Sequence, residues 1–134
     1  MSYATVLAKV KTTIAAVSGI NAVVVGAPAS VQTTPMVFLL FDSYTREDDE
    51  QSFDDRATTY RILAELLVPA TEHAEDQIMP FIDSVQAAFD ADRTLGGLVL
   101  DAEAEAGDGV WVSIGASHYR GIDFTITVME AVDL

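Results

Sequence analysis

Hydrophobic positions near the N-terminus recur with the spacing of an α-helix. Six apolar or aromatic residues recur at intervals of one, three or four positions and so share one helical face: Tyr3, Val6, Leu7, Val10, Ile14 and Val17. Ser2 stands before them as a candidate N-cap and Gly19 follows just beyond the last of them. The pattern predicts an amphipathic helix at the start of the chain.

Three segments between this helix and residue 68 have the character of strands. Residues 21–25 form a short apolar run that Gly26 closes. Residues 36–44 are apolar on both faces in their first half, which predicts a central strand with cover on each side. Residues 57–68 fit either a helix or a strand, but the alternation of apolar side chains with polar ones such as Arg61 and Glu65 favours a strand.

A second helix and a group of strands are predicted in the C-terminal half. The helix is marked by Ile78, Phe81, Ile82, Val85 and Phe89. Since proline disrupts a helix interior, we expect Pro80 to kink this helix or to lie near its start.

Alternation with a period of two predicts strands after the second helix. Apolar residues at even positions, namely Leu98, Leu100, Ala102 and Ala104, alternate with the acids Asp101, Glu103 and Glu105. Residues 107–109 (GDG) are expected to turn the chain so that residues 110–114 pair back as a hairpin. The last strand is marked by Ile122, Phe124, Ile126 and Val128.

These elements predict an α+β fold in which one mixed, mainly antiparallel sheet packs with two helices. The chain has 134 residues, and residues 1–134 are expected to form a single domain with a hairpin or long loop extension. The extension is expected at residues 45–56, an exposed acidic loop or hairpin tip. Uninterrupted apolar runs are far shorter than the roughly 18 residues of a membrane-spanning helix, so we expect no membrane association.

Charge narrows the possible functions. The net charge is −14, and Lys9 and Lys11 are the only charged residues before Asp42. This balance repels phosphate groups and argues against specific nucleic-acid binding. Two explanations of the acidity are open, namely a high-salt environment and a surface past which DNA must move without sticking.

The sequence gives little support for a catalytic site or a metal site. The chain has no cysteine, no Gly-rich phosphate loop and two isolated histidines, His73 and His118, which we expect to be ordinary surface residues. The acidic run at 47–55 could bind Ca²⁺, but it lacks the residue order that shapes such loops, and a solvated loop is the simpler interpretation. We therefore predict no enzyme activity, no metal and no cofactor.

Two groups of residues are candidates for assembly. Aromatic side chains expected at subunit contacts are Tyr44, Phe53, Trp111 and Tyr119, with Trp111 divided evenly between the core and a contact. Acidic side chains expected on a loop, on a solvated sheet face or on the lining of a channel are Glu47, Asp48, Asp49, Glu50, Asp101, Glu103 and Glu105.

Several segments resemble the tail terminator, or tail completion, proteins of long-tailed bacteriophages and related viruses. The resemblance rests on the helix that ends at 18–19 (SG), the strand at 23–25 (VVV) and 35–39 (PMVFL). Its most specific parts are 92–97 (DRTLGG), after the second helix, and 119–128 (YRGIDFTITV).

The resemblance implies a virion protein that forms a ring, usually a hexamer. Such a ring caps the tail tube, ends its polymerisation and joins the tail to the head connector, while DNA passes through without specific binding. Arg93, Gly96 and Gly97 would be architectural, with the glycines supplying backbone angles that other residues avoid. The ring would assemble in the host cytoplasm. Another neck or head-tail joining subunit and a free-standing acidic binding domain are the alternatives, and an enzyme is a distant third.

Overall fold

The computed structural model describes residues 2–47 and 57–131, with the side chain of Glu47 left out. Most of the predicted acidic loop therefore lies outside the described residues. The candidate residues that fall there are Asp48, Asp49, Glu50 and Phe53.

Both predicted helices are present. Helix α1 spans Tyr3–Ala15, and the hydroxyl of Ser2 caps it by accepting a hydrogen bond from the Thr5 amide at 3.3 Å. Helix α2 spans Ala74–Asp90, and its first turn carries acids that suit the positive end of the helix dipole. Pro80 lies well inside α2 rather than near its start, so the carbonyl of Asp76 lacks its usual amide donor four residues on.

The strands form a single sheet of five. They are β1 (Ala22–Val25), β2 (Met36–Glu47), β3 (Ala57–Pro69), β4 (Asp101–Ile114) and β5 (Ser117–Ala131). The order across the sheet is β1-β2-β3-β5-β4, in which β1 and β2 are parallel and the other neighbours antiparallel. The predicted α+β class and the mixed, mainly antiparallel sheet are confirmed.

The acidic segment joins two long paired strands. The ladder between β2 and β3 continues to the pair Glu47 and Ala57, so residues 45–47 belong to a strand and not to the loop. Strands β2 and β3 therefore pair on either side of this segment, and the predicted boundary of the loop at residue 45 is wrong. Thr45 and Arg46 continue the strand because each pairs with a residue of β3.

The predicted turn at 107–109 is wrong. Strand β4 runs through these residues, and its register with β5 shifts between Ala106 and Gly109, which marks a β-bulge. The hairpin instead turns at residues 115–116, where Gly115 has a φ of 62°. Two strands therefore follow α2 rather than three, because a bulge absorbs the flexible residues without reversing the chain.

The start of β4 also differs from the prediction. Leu98 and Leu100 precede the strand, and Leu100 is 55% exposed, so it does not share the buried face of Ala102. Residues 95–97 adopt positive φ angles, with 74° at Gly96 and 87° at Gly97. This compact turn ends the two-residue alternation before Asp101, and it gives both glycines the conformations expected of them.

The main core lies between the helices and one face of the sheet. Side chains from α1 and α2 pack there on alternate residues of β2, β3 and β5, and Phe89, Phe124, Ile14 and Ile126 are fully buried. On the other face, residues near one end of the sheet form a second cluster. The loop between β1 and β2 contributes Val31 to it. None of the described helices packs on the remainder of that second face.

Candidate functional site

Acidic side chains gather on the side of the sheet opposite the helices. Ala102, Ala104 and Ala106 pack toward the helical core, so the residues that alternate with them point the other way. We call this surface the acidic face; its members are Glu65, Asp101, Glu103, Glu105, Asp108 and Asp123. The predicted row of three acids on β4 is thus present and forms part of a larger group.

The centre of the acidic face is a pair of carboxylates on neighbouring strands. Glu65 of β3 stands directly opposite Asp123 of β5 in the antiparallel ladder. On the other side of Asp123 lies the β4 bulge, which contains Asp108. Among the described residues, Oδ1 of Asp123 is buried and has no hydrogen-bond partner. Like charges therefore face one another across three strands.

This arrangement disfavours the ionised forms. Partial burial raises the pKa of Asp123, and the charge of Asp108 adds to the effect. Burial likewise raises the pKa of Glu65, and the charge of Asp123 adds to it. The central carboxylates thus hold their protons more readily than free acids do, which is the reverse of a stabilising ion pair.

At the start of β4 the charges are instead neutralised. Arg93, in the turn after α2, donates from Nε and Nη2 to the two oxygens of Asp101, each at 2.7 Å. It also reaches Asp90 at 3.3 Å and Glu103 at 3.5 Å. The hydrogen bonds from Arg93 lower the pKa of Asp101. Arg93 therefore connects the turn after α2 to the start of β4.

Trp111 is exposed on the edge strand. Its side chain is 70% accessible, so the interpretation of Trp111 as a core residue is wrong. The guanidinium of Arg120 stacks over the indole at 4.8 Å, and its Nε donates to Glu75 of α2 at 2.6 Å. The ion pair between Arg120 and Glu75 fixes the guanidinium over the indole, and Trp111 presents a flat aromatic surface at the edge of the sheet.

A second group of exposed aromatic rings lies near the N-terminus of α1. Phe41 and Tyr44 of β2 are 57% and 50% exposed. Tyr3 contacts Phe41 edge-to-face with a centroid distance of 5.4 Å, and both Tyr3 and Tyr44 approach Tyr60 within 5.5 Å. Tyr44 is thus placed where a subunit contact could use it.

The remaining aromatic candidates are differently placed. Tyr119 is 8% exposed and packs with Met36, Phe38 and Leu67 in the second hydrophobic cluster. The prediction that Tyr119 offers a surface contact is therefore wrong. Its ring is covered because Tyr119 points to the face that the loop between β1 and β2 crosses.

Both histidines are exposed, and the described residues form no cluster that could hold a metal ion. His73 is the N-cap residue of α2, and His118 is exposed on β5, where its Nδ1 lies 2.8 Å from the Ser113 hydroxyl. No group of three or more potential ligand residues lies close enough to hold a metal within residues 2–47 and 57–131. A cleft of about 530 Å³ opens between the end of α1 and α2, and Asp76 is the one titratable residue among its described lining residues.

Sequence reasoning missed the pair of Glu65 and Asp123. Both residues fall at polar positions of predicted strands, and that alternation was a usable signal. The pairing itself depends on β5 lying beside β3 with one particular register, which places positions 58 residues apart in the chain opposite each other. Alternation along a strand says which face a residue occupies but does not identify its neighbour.

Two further findings concern the whole chain. None of the helices in the described residues combines the length and the apolar character needed to cross a bilayer. Comparison with models of protein families found no matching family, and comparison with curated proteins found no match.

Proposed function

We propose that this chain is a structural virion subunit that forms a homo-oligomeric ring, most simply a hexamer, at the end of a viral tail tube. The ring ends tail polymerisation and joins the tail to the head connector. Its partners are further copies of itself, the tail tube protein and a connector or neck protein. It needs no cofactor, and DNA passes through it without specific contacts.

The observation that carries the proposal is the chemistry of the sheet face that lacks helices. Beyond the hydrophobic cluster at one end, this side of the described sheet carries the six acids of the acidic face, the single base Arg61 of β3, and the threonines Thr125 and Thr127 of β5. Carboxylates repel the phosphate backbone, and contacts to phosphates provide most of the non-specific affinity of proteins for DNA. A ring that turned these faces inward would therefore let DNA slide.

The exposed aromatic side chains support the assembly part of the proposal. Trp111 lies on the edge strand β4, whereas Phe41 and Tyr44 lie on β2, on the other side of β3 and β5. Large aromatic residues that stay exposed on a rigid sheet are typical anchors of subunit contacts. Contacts made through two different surfaces generate rings when the rotation closes.

Light scattering coupled to size exclusion, followed by electron microscopy, tests the proposal. We expect a closed ring of about six copies at high protein concentration, in both 0.15 M and 2 M NaCl (about 8 Å screening length at the lower value). A chain that stays monomeric at every concentration and salt would contradict the ring and favour a free-standing acidic binding domain.

The lining role has its own test. Replacing Glu65, Glu103 and Asp123 with their amides leaves the hydrophobic core intact and removes three charges of the acidic face. If the face lines a DNA channel, virus particles carrying this variant should assemble normally and eject DNA more slowly. Ejection at the unchanged rate would argue against a DNA-facing position of these acids.

A further inference from the structure

The charges of this chain are divided between two sides of the fold. All 21 acidic residues lie at Asp42 or later, and the 41 residues before it carry Lys9 and Lys11 as their only charges. We call α1, β1 and the loop at 26–35 the acid-free flank. Strands β1 and β4 are the two ends of the strand order, and α1 packs near β1 while α2 packs against β4. The acid-free flank and the β4 edge therefore lie on opposite sides of the molecule.

Both lysines of α1 are exposed, but they point in different directions. The ammonium of Lys9 lies 3.8 Å from the position a Cβ on Gly96 would occupy, so Lys9 reaches over the turn after α2. Two positions along a helix correspond to a rotation of about 200°, which turns Lys11 away from that turn. Lys11 is exposed, and among the described residues it takes part in no ion pair.

Strand β4 presents the complementary surface. It has 14 residues and β5 on one side only, so the backbone groups along its outer edge have no strand partner in the described chain. Proteins commonly protect such an edge by covering it with a helix or a loop. Glu105 and Asp108 on this strand are exposed and make no ion pair among the described residues, unlike Asp101, which Arg93 neutralises.

We propose that α1 of one copy covers the outer edge of β4 of the next copy, with Lys11 against the carboxylates of Glu105 and Asp108. This inference rests on the proposed ring and identifies its subunit interface. The net charge of −14 means that most other pairings of surfaces bring acid against acid. The acid-free flank avoids that repulsion. Next to Lys11 on the surface of α1 lie Ala8 and Ala15, which are exposed and whose side chains are short enough to allow close approach.

The geometry is that of a head-to-tail contact. Because the two surfaces lie on opposite sides of the same copy, each copy uses its α1 toward one neighbour and its β4 toward the other. Repetition of one such heterologous contact produces a closed ring when the rotation between copies divides a full turn. The helices and the acidic face are then repeated around the ring with the same orientation in every subunit.

A charge swap tests the interface. We expect Lys11→Glu to weaken assembly of the full chain by at least about tenfold in dissociation constant, the scale of one close interfacial charge pair. The double variant Lys11→Glu with Glu105→Lys should recover most of that loss. Arg61→Glu is the matched control, since Arg61 is exposed on the middle strand β3 and the substitution changes the net charge equally. Sedimentation equilibrium measures all four chains, with far-ultraviolet circular dichroism to check folding.

Each result decides a different point. If the wild type assembles and Lys11→Glu behaves like Arg61→Glu, the interface is refuted while the ring survives. If Lys11→Glu dissociates but the double variant does not recover, the contact with Glu105 is refuted. If the wild type does not assemble at all, the proposed function fails together with the interface. The milder Lys11→Gln, which should give an intermediate constant, replaces Lys11→Glu should the latter misfold.

Discussion

Removing one charge from the centre of the acidic face should stabilise this protein. In Asp123→Asn the side chain keeps its size, and its new amide can donate a hydrogen bond to the carboxylate of Glu65, its partner across the ladder. The substitution replaces a repulsion between like charges with an attraction. We expect a higher free energy of unfolding at neutral pH, contrary to the usual effect of a substitution in a partly buried strand.

The size of the effect follows from the geometry. Like charges directly opposite in a sheet destabilise it by roughly 0.2–1 kcal/mol, and a new hydrogen bond to a carboxylate adds about 1 kcal/mol. The sum is about 1–2 kcal/mol. For a chain of 134 residues, an unfolding entropy of about 2.1 cal/mol/K per residue converts this gain into a rise in Tm of about 4–7 °C.

The pH dependence has a definite sign. The pKa of Asp123 is raised in the folded state, so the folded protein binds the proton more tightly than the unfolded chain does. Ionised Asp123 therefore destabilises the fold above its raised pKa, and this cost disappears as the pH falls toward the ordinary value of about 3.9. The advantage of Asp123→Asn should be full at pH 7 and should shrink as the solution is acidified.

Thermal unfolding followed by circular dichroism from pH 7 to pH 4 measures both features. Glu105→Gln is the control, because it also removes one acid from the same face, but its partner in the ladder is Thr125. A Tm for Asp123→Asn at or below that of the wild type would refute the reasoning. An equal rise for Glu105→Gln would show that reduced net charge, and not the carboxylate pair, causes the effect.

Three further outcomes are expected. Phe89→Ala, in the core, should cost about 3–5 kcal/mol in urea unfolding, whereas Met79→Ala, at an exposed site on the same helix, should change stability by about 0.5 kcal/mol or less. Gly121→Ala should destabilise by about 1–3 kcal/mol, since a Cβ there would lie 2.8 Å from the Leu66 carbonyl oxygen; an unchanged midpoint would contradict this. Burial, and next the Glu130 carboxylate, raise the pKa of Tyr60 to about 12, so Glu130→Gln should lower that pKa in an absorbance titration.

Local pattern was sufficient for most of the secondary structure. The helical spacing of Val6, Val10 and Ile14 and the alternation in residues 122–128 correspond to buried faces in the folded chain. Such periodic patterns predict secondary structure reliably because a helix or strand that buries one face needs apolar residues at matching intervals. The ambiguity of residues 57–68 was also resolved correctly, since alternation of side chains distinguishes a strand from a helix.

The errors occurred where flexible residues have more than one possible use. Residues 107–109 suit a tight turn or a bulge, and pairing with β5 selected the bulge.

The exposure of the two aromatic residues was also not predictable from local pattern. Tyr119 and Trp111 both lie in the hairpin of β4 and β5, yet Tyr119 is buried and Trp111 is exposed. Coverage of Tyr119 depends on a loop that is more than 80 residues distant in sequence, and no local pattern encodes that contact.

The sequence by itself determined the fold class, both helices, the uneven distribution of charge and the acidic character of β4, because these depend on side-chain type and spacing. The tertiary structure alone decided which charges meet. Strand order and register placed Glu65 against Asp123 and left Glu105 without a charged partner across the ladder. Electrostatic energies depend on distance in space, and the distance between residues of different strands is set only when the sheet assembles.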